Sequence, residues 1–288
     1  MDSTAEPRTP AASPAGHPDG EDDLVDRSLQ RTRVGDLVRY RHLLRNLVLK
    51  DLKLKYRGSV FGFLWSLANP LLMIVVYTVA FTYLLRIHTP GFVLYLMLGI
   101  LGWTFSAGSL GMSTGAIADN GGLVKSVSFP RAILPAATVL FNLSQYVLTA
   151  IVFVPFLLVV YRVPPAAPML LFPVFVALQT AFTIGLALLL ATAAAFFRDV
   201  KHLVEVALAA LFWATPIVYT IEQLPETVRV PIQFSPLASY IGAYHDIFYY
   251  RRVPGALTWG VTLGYAAAAL AIGLAVTVKH EDRFTELV

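Results

Sequence analysis

Cysteine is absent from the 288 residues, and charge is scarce, with 14% of the chain Asp, Glu, Lys or Arg. The first absence excludes a disulfide framework, a thiolate nucleophile and any thiolate-held zinc or iron–sulfur centre. The second excludes an ordinary soluble domain, in which about a quarter of residues are charged. No G-x-x-x-x-G-K-[ST] phosphate loop occurs, so the chain does not bind ATP in the usual way and uphill work must be powered by another polypeptide. Ionisable residues are nearly missing from the long apolar runs. Proton- and ion-coupled transporters keep such residues inside their spans, because a charge in hydrocarbon is costly and persists only for function. A membrane-embedded enzyme would need acids, bases or metal ligands facing a cavity, and no such cluster is visible.

What the chain has is hydrophobicity, with 57% apolar and aromatic residues and a mean hydropathy of +0.65. A bilayer core about 30 Å thick takes roughly 20 helical residues. Uncharged runs of at least that length occupy 60–85, 91–118, 132–161, 163–197 and 253–278. In the fourth, Pro164, Pro165 and Pro168 move the expected helix start to near Met169. A sixth run, 203–220, carries Glu205 near one end and Pro216 near the other, and is expected as a kinked span in which Glu205 pairs with Lys201 or Arg198. The stretch 221–252 is too interrupted by prolines and charges to span. Ser235 followed by Pro236 reads as an N-cap and first helical position, and Leu237, Tyr240, Ile241, Tyr244 and Phe248 then recur at helical spacing. This predicts a short amphipathic helix, re-entrant or lying at the interface. The fold class is therefore an all-α polytopic membrane protein with six transmembrane helices. Residues 1–33 read as a disordered cytoplasmic tail, 34–57 as an amphipathic interface helix and 58–288 as the six-helix domain.

Basic residues fix the expected orientation. The first 59 residues, the second and fourth loops and the tail hold 11, 2, 2 and 2 Lys/Arg, against 1, 1 and 3 in the alternate loops. Both termini are thus expected in the cytoplasm. Residues 1–30 are acidic and rich in Pro and Ala, with no apolar core, so no cleaved signal peptide is expected. The net charge of +4 belongs to this membrane bias, and no nucleic-acid partner is expected.

Between residues 34 and 57, Leu37, Tyr40, Leu44, Leu47 and Val48 fall on one helical face, while Arg39, Asn46, Lys50 and Lys53 fall on the other. Two readings of this segment stand side by side. It is an electrostatic anchor to anionic membrane lipids. It is also a place where Lys53, Lys55, Tyr56 and Arg57 hold a lipid pyrophosphate whose hydrocarbon stays in the bilayer. Within the spans, aromatic residues are the other candidates: Trp65, Tyr77, Phe81 and Tyr83 in the first, Trp103 and Phe105 in the second, and Phe212, Trp213 and Tyr219 in the fifth. Interfacial belts and core packing account for many of them. The others are expected to line a conduit, chiefly Trp65, Tyr77, Phe81, Phe212, Trp213 and Tyr219, since flat aromatic faces with nearby hydroxyls suit sugar rings.

Several segments resemble the ABC-2-type permeases that export O-antigen, teichoic acid and related polysaccharides: LVLKDLKLKYRGSVFGFLWSLANPLLMIVVY at 47–77, LVKSVSFPRAILP at 123–135, FFRDVKHLVEVAL at 196–208, ATPIVYT at 214–220 and FSPLASYI at 234–241. No one motif is decisive; their order and spacing carry the resemblance. It implies a homodimer in the bacterial cytoplasmic (inner) membrane, paired with two copies of a separate nucleotide-binding subunit that holds ATP and magnesium. This chain itself would have no cofactor and no ATPase site. By the resemblance, the ATPase-coupling residues are Asp51, Asp119, Asn120, Leu123, Lys125, Phe129, Arg131, Arg198 and Asp199. The external gate would lie at 224–250 and include Pro236, Tyr240 and Tyr244. The implied substrate is a polyprenyl-pyrophosphate-linked glycan; an ABC-2 permease for a small amphiphilic drug or lipid is the alternative.

Overall fold

The structure, a computed structural model, describes residues 40–59, 61–62, 64–84, 91–126, 129–160 and 162–284. The expected tail at 1–33 and the first residues of the interface segment lie outside them. Among the described residues there is no strand. The helices are α1 (Arg41–Tyr56), α2 (Leu64–Thr78, continued by a π turn at Val79–Leu84), α3 (Phe92–Ser113), α4 (Gly121–Ser126) and α5 (Ile133–Val160). They continue as α6 (Phe172–Phe196), α7 (Val200–Ala214), α8 (Glu226–Gln233), α9 (Pro236–Tyr244, continued by a π turn at His245–Tyr249) and α10 (Ala256–His280). Five stretches are long and apolar enough to cross a membrane: Leu67–Leu84, Phe92–Ser113, Ile133–Phe156, Ala167–Phe196 and Ala256–His280. They match the five clear runs in the sequence.

α3 is apolar all round and is buried accordingly, packed by α2, α5, α6, α7 and α9. The α6–α10 pair makes the most extensive contact. A methyl group built on Gly185 would overlap the Ala269 carbonyl, and one on Gly273 would overlap the Gly185 carbonyl, so these two backbones touch directly. Thr192 and Thr277 hydroxyls meet at 3.1 Å farther along the same seam. At the opposite end, Gly99 and Gly102 of α3 leave room for Ile217 and for the ring of Tyr244.

Four expectations change. The predicted kinked span at 203–220 is a 15-residue helix, α7, that ends at Ala214. Pro216 follows it in a turn, because a proline there cannot supply the next helical N–H. Glu205 pairs with His202 at 3.6 Å, one turn away on the exposed face, and not with Lys201 or Arg198. The predicted amphipathic helix near 236 is largely internal: Leu237, Ala238, Ser239, Tyr240, Ile241, Ala243 and Tyr244 of α9 are buried, with Pro236 and Gly242 partly exposed. The apolar face of α1 is covered by protein, since Tyr40, Leu43, Leu44, Leu47 and Val48 pack on Val124, Phe129, Ile133, Leu134 and Ala137.

A candidate substrate groove and coupling surface

After α1 the chain turns sharply at Gly58, whose φ of +73° is strained for any residue with a Cβ. This elbow sets the end of α1 against α5. Lys55 Nζ donates to Gln145 Oε1 and lies 5.8 Å from the Phe141 ring and 5.9 Å from the Tyr56 ring. Burial there pushes the Lys55 ammonium below the usual lysine range. A cleft of about 310 Å³ opens beside it, between α2, α3 and α5. Its polar lining is Lys55, Asn69, Thr104, Asn142, Gln145 and Thr149, with Trp65 as an aromatic wall. Asn142, Gln145 and Thr149 recur at three- and four-residue spacing, so one stripe of α5 carries all three.

A second cleft of about 360 Å³ lies between α2, α3 and α7. It shares Asn69 and Thr104 with the first and is walled by Tyr77, Trp103, Phe212 and Trp213. Tyr77 and Phe212 stack at 5.7 Å, Trp103 meets Phe212 edge-on at 5.6 Å, and Phe212 meets Trp213 at 5.4 Å. The two clefts are therefore neighbours, with Asn69 and Thr104 lining both, so that a cation, amides and hydroxyls in the first lie next to aromatic faces in the second.

Of the residues read as pyrophosphate ligands, the structure brings Lys55 to the groove with the Tyr56 ring beside it. Lys53 sits on the other side of α1, and Arg57 is exposed at its end. Of the aromatic candidates, Trp65, Tyr77, Phe212 and Trp213 line the clefts. Phe81 packs on Tyr77 and Phe92, and Tyr219 donates its hydroxyl to the Trp213 carbonyl at 3.0 Å. Asn69, Thr104, Asn142, Gln145 and Thr149 escaped the sequence reading. The helical stripe of amides on α5 was a usable signal; the meeting with Asn69 of α2 was not.

The candidate coupling residues divide into two sets. Asp51, Asp119, Lys125, Arg198 and Asp199 lie near or at the surface of one end of the bundle, and Asp51 pairs with Lys50 at 3.7 Å. Asn120 donates to the Ala116 carbonyl at 2.9 Å, and Leu123 packs on α1. Phe129 and Arg131 are internal. Arg131 donates to the carbonyls of Phe129 at 2.6 Å and Val124 at 3.2 Å, and its backbone N–H donates to the Glu281 carboxylate at 2.7 Å. Both Arg131 and Glu281 are 4% exposed, so they brace the loop from inside and tie it to the end of α10. Of the gate residues, Pro236 opens α9. Tyr240 donates to the Thr262 carbonyl at 2.7 Å and Tyr244 to Gln179 Oε1; both rings are in the core.

An all-helical bundle with five stretches long and apolar enough to cross a membrane is the architecture of a multi-pass membrane protein. The chain belongs to the ABC-2 type transporter family, which residues 42–249 match. It is 37% identical over 228 residues to the O-antigen export system permease protein RfbA of Myxococcus xanthus, covering 77% of this chain and 86% of that protein. It is 32% identical over 241 residues to the O-antigen export system permease protein RfbA of Klebsiella pneumoniae, covering 83% and 92% respectively.

Proposed function

We propose that this chain is the channel-forming membrane subunit of an ATP-driven exporter that carries a polyprenyl-pyrophosphate-linked glycan of the O-antigen type across the bacterial cytoplasmic membrane. The observation that carries this reading is the adjacency of the two clefts, both lined by Asn69 and Thr104. A cation beside amides suits a phosphate and its first sugar, and an aromatic wall suits the sugar rings that follow. The relatives named above are O-antigen export permeases, which supports a glycan of that type as cargo.

Two copies pairing through α2 and α7 would enclose the groove. Asn69 is exposed on α2 amid exposed Leu64, Trp65, Leu72, Val75 and Val76, and α7 exposes Leu203, Val206 and Trp213 beside it. An amide facing lipid is costly, whereas one facing a wet conduit between two subunits is not. Two copies of a separate nucleotide-binding subunit, holding ATP and magnesium, would dock on the end that carries Asp51, Asp119, Lys125, Arg198 and Asp199. Their motion would reach the spans through α1, whose apolar face rests on the 123–137 segment.

Six crossings, with both termini in the cytoplasm, fit the connectivity. α1 and Glu281 both adjoin the Arg131 end, the placement an even number of crossings would give. α7 and its following turn would be the sixth, a reading supported by Tyr95, at the far end of α3, which donates to the carbonyls of Pro216 at 3.3 Å and Tyr219 at 3.2 Å. The chain has no cysteine of its own, so single cysteines can be introduced cleanly. A cysteine replacing Glu226 should react with an impermeant maleimide from outside the cell, and one replacing Lys201 should react only after permeabilisation. The reverse pattern would refute this orientation.

The function itself is tested by depleting the protein in its host. Surface glycan is expected to disappear while lipid-linked polymer accumulates inside. An unchanged surface glycan with no internal accumulation would refute the export role.

A further inference from the structure

At the end of the bundle far from α1, a cavity of about 180 Å³ lies between the start of α3, the 216–222 turn, α8–α9 and the first turn of α10. Its volume corresponds to on the order of six water molecules. Tyr95, Ile232 and Ala238 supply apolar surface, and Glu222, Gln233, Ser239, Asp246, Tyr250 and Arg252 supply polar surface. Arg252 donates from Nε and from Nη2 to the same Asp246 oxygen, both at 2.7 Å, so the second carboxylate oxygen is not engaged by the guanidinium. Tyr250 reaches the Glu222 oxygens only at 3.4 Å, a long O–H···O distance that leaves this carboxylate with acceptor capacity. Burial raises the Asp246 carboxyl above its ordinary range, and the Arg252 hydrogen bond opposes that rise.

Gly242, inside α9, forms part of the cavity wall, and a Cβ built on it meets nothing within 4 Å. Glycine inside a helix is unfavourable relative to alanine. Gly99 and Gly102 are accounted for by the side chains lodged against them, whereas no neighbour occupies the space left at Gly242. What its missing side chain leaves is open room in the cavity.

We propose that this cavity is a saccharide subsite for one neutral pyranose unit, an inference that rests on the glycan-export reading above. The two carboxylates accept hydrogen bonds from sugar hydroxyls. The Gln233 amide and Arg252 donate to sugar oxygens, and Tyr95 and Ile232 meet an apolar C–H edge. With two carboxylates against one guanidinium, the site disfavours a uronic acid. Such hydrogen bonds exchange readily with water, as a site on a moving polymer requires.

The test uses the full chain in lipid nanodiscs and saturation-transfer NMR, with the methyl glycosides of glucose, galactose, mannose and rhamnose, and with glucuronate, as probes. At least one neutral glycoside is expected to receive saturation, and glucuronate none. Gly242→Leu, which adds bulk at a cavity-wall position where a Cβ meets nothing within 4 Å, should cut the signal several-fold. Gly242→Ala should largely keep it, and Glu222→Gln should weaken it. If Gly242→Leu lowers the melting temperature, Glu222→Gln decides the matter. The proposal is overturned by no signal in the natural chain, by a signal undiminished in both Gly242→Leu and Glu222→Gln, or by glucuronate binding as well as the neutral sugars. Terbium luminescence abolished by Gly242→Leu would identify a metal-ion site and overturn it too. Loss of surface glycan on depletion, combined with no sugar signal here, would overturn this subsite and leave the export role standing.

Discussion

Replacing Gly185 by leucine is expected to prevent the protein from reaching its folded state in the membrane. At this position even a methyl group would overlap the backbone of Ala269 and Leu270 on α10, and a helix backbone cannot swing aside as a side chain can. α6 and α10 would have to separate along their most extensive seam, breaking the Thr192–Thr277 contact as well. Overpacking a filled core costs about 1–3 kcal/mol and at times more, and a clash with backbone belongs at the upper end. In a membrane the loss is not offset by any hydrophobic gain elsewhere, because small residues in close contact are what hold two apolar helices together. Gly185→Ala and Gly273→Ala should each lower the melting temperature of the purified protein markedly. Their combination should be less than additive, because both methyls open the same gap. A Cβ added to Gly264 of α10 would meet nothing within 4 Å, so Gly264→Ala should leave the melting temperature unchanged or raise it. Equal effects at Gly264 and Gly185 would refute direct backbone contact as the reason for glycine in this seam.

Reversing the charge of Lys55 is expected to abolish export while leaving the folded protein and its association with the ATPase subunit intact. Lys55 is the cation that the structure places at the mouth of the groove, held by Gln145 and flanked by the Phe141 and Tyr56 rings. A carboxylate there would repel a pyrophosphate at close range, in surroundings that screen charge less than water does. The apolar residues that seat α1 on the 123–137 segment lie earlier in the helix and would be untouched. Lys53→Glu separates the two readings of this basic segment. Lys53 lies two residues away, on the other side of α1. If the segment were only an anchor to anionic lipid, Lys53→Glu and Lys55→Glu should impair export equally. If Lys55 holds the substrate, Lys53→Glu should have a much smaller effect. Surface glycan detected by immunoblot, alongside co-purification of the ATPase, reads both outcomes, and unimpaired export in Lys55→Glu would refute the phosphate role.

The five clear spans were legible in the sequence because hydropathy is a property of the chain taken in order. A run such as 91–118 must be buried in protein or lipid whatever its neighbours are, and Phe92–Ser113 is the helix that results. The same local logic located the turn into α9 at Ser235 and Pro236. It missed the end of α7, where Pro216 stops the helix instead of kinking it. Which groups would gather in the groove was legible in part. Trp65, Tyr77, Phe212 and Trp213 stood out as aromatic residues in spans, but Asn69, Asn142 and Gln145 did not, because their meeting depends on how α2 and α5 lie against α3.

By itself, then, the sequence determined that the chain is helical and membrane-type, which segments are apolar, and that α1 has one apolar face. Only the tertiary structure decided what covers each apolar face. A lipid tail and a leucine side chain are equally apolar, so periodicity reports that Leu44 and Leu47 must leave water but not that Val124, Phe129 and Ile133 receive them. The same ambiguity hid the burial of Tyr240 and Tyr244 and the internal bracing by Arg131 and Glu281. Their partners lie far away in the chain, and packing alone brings them together.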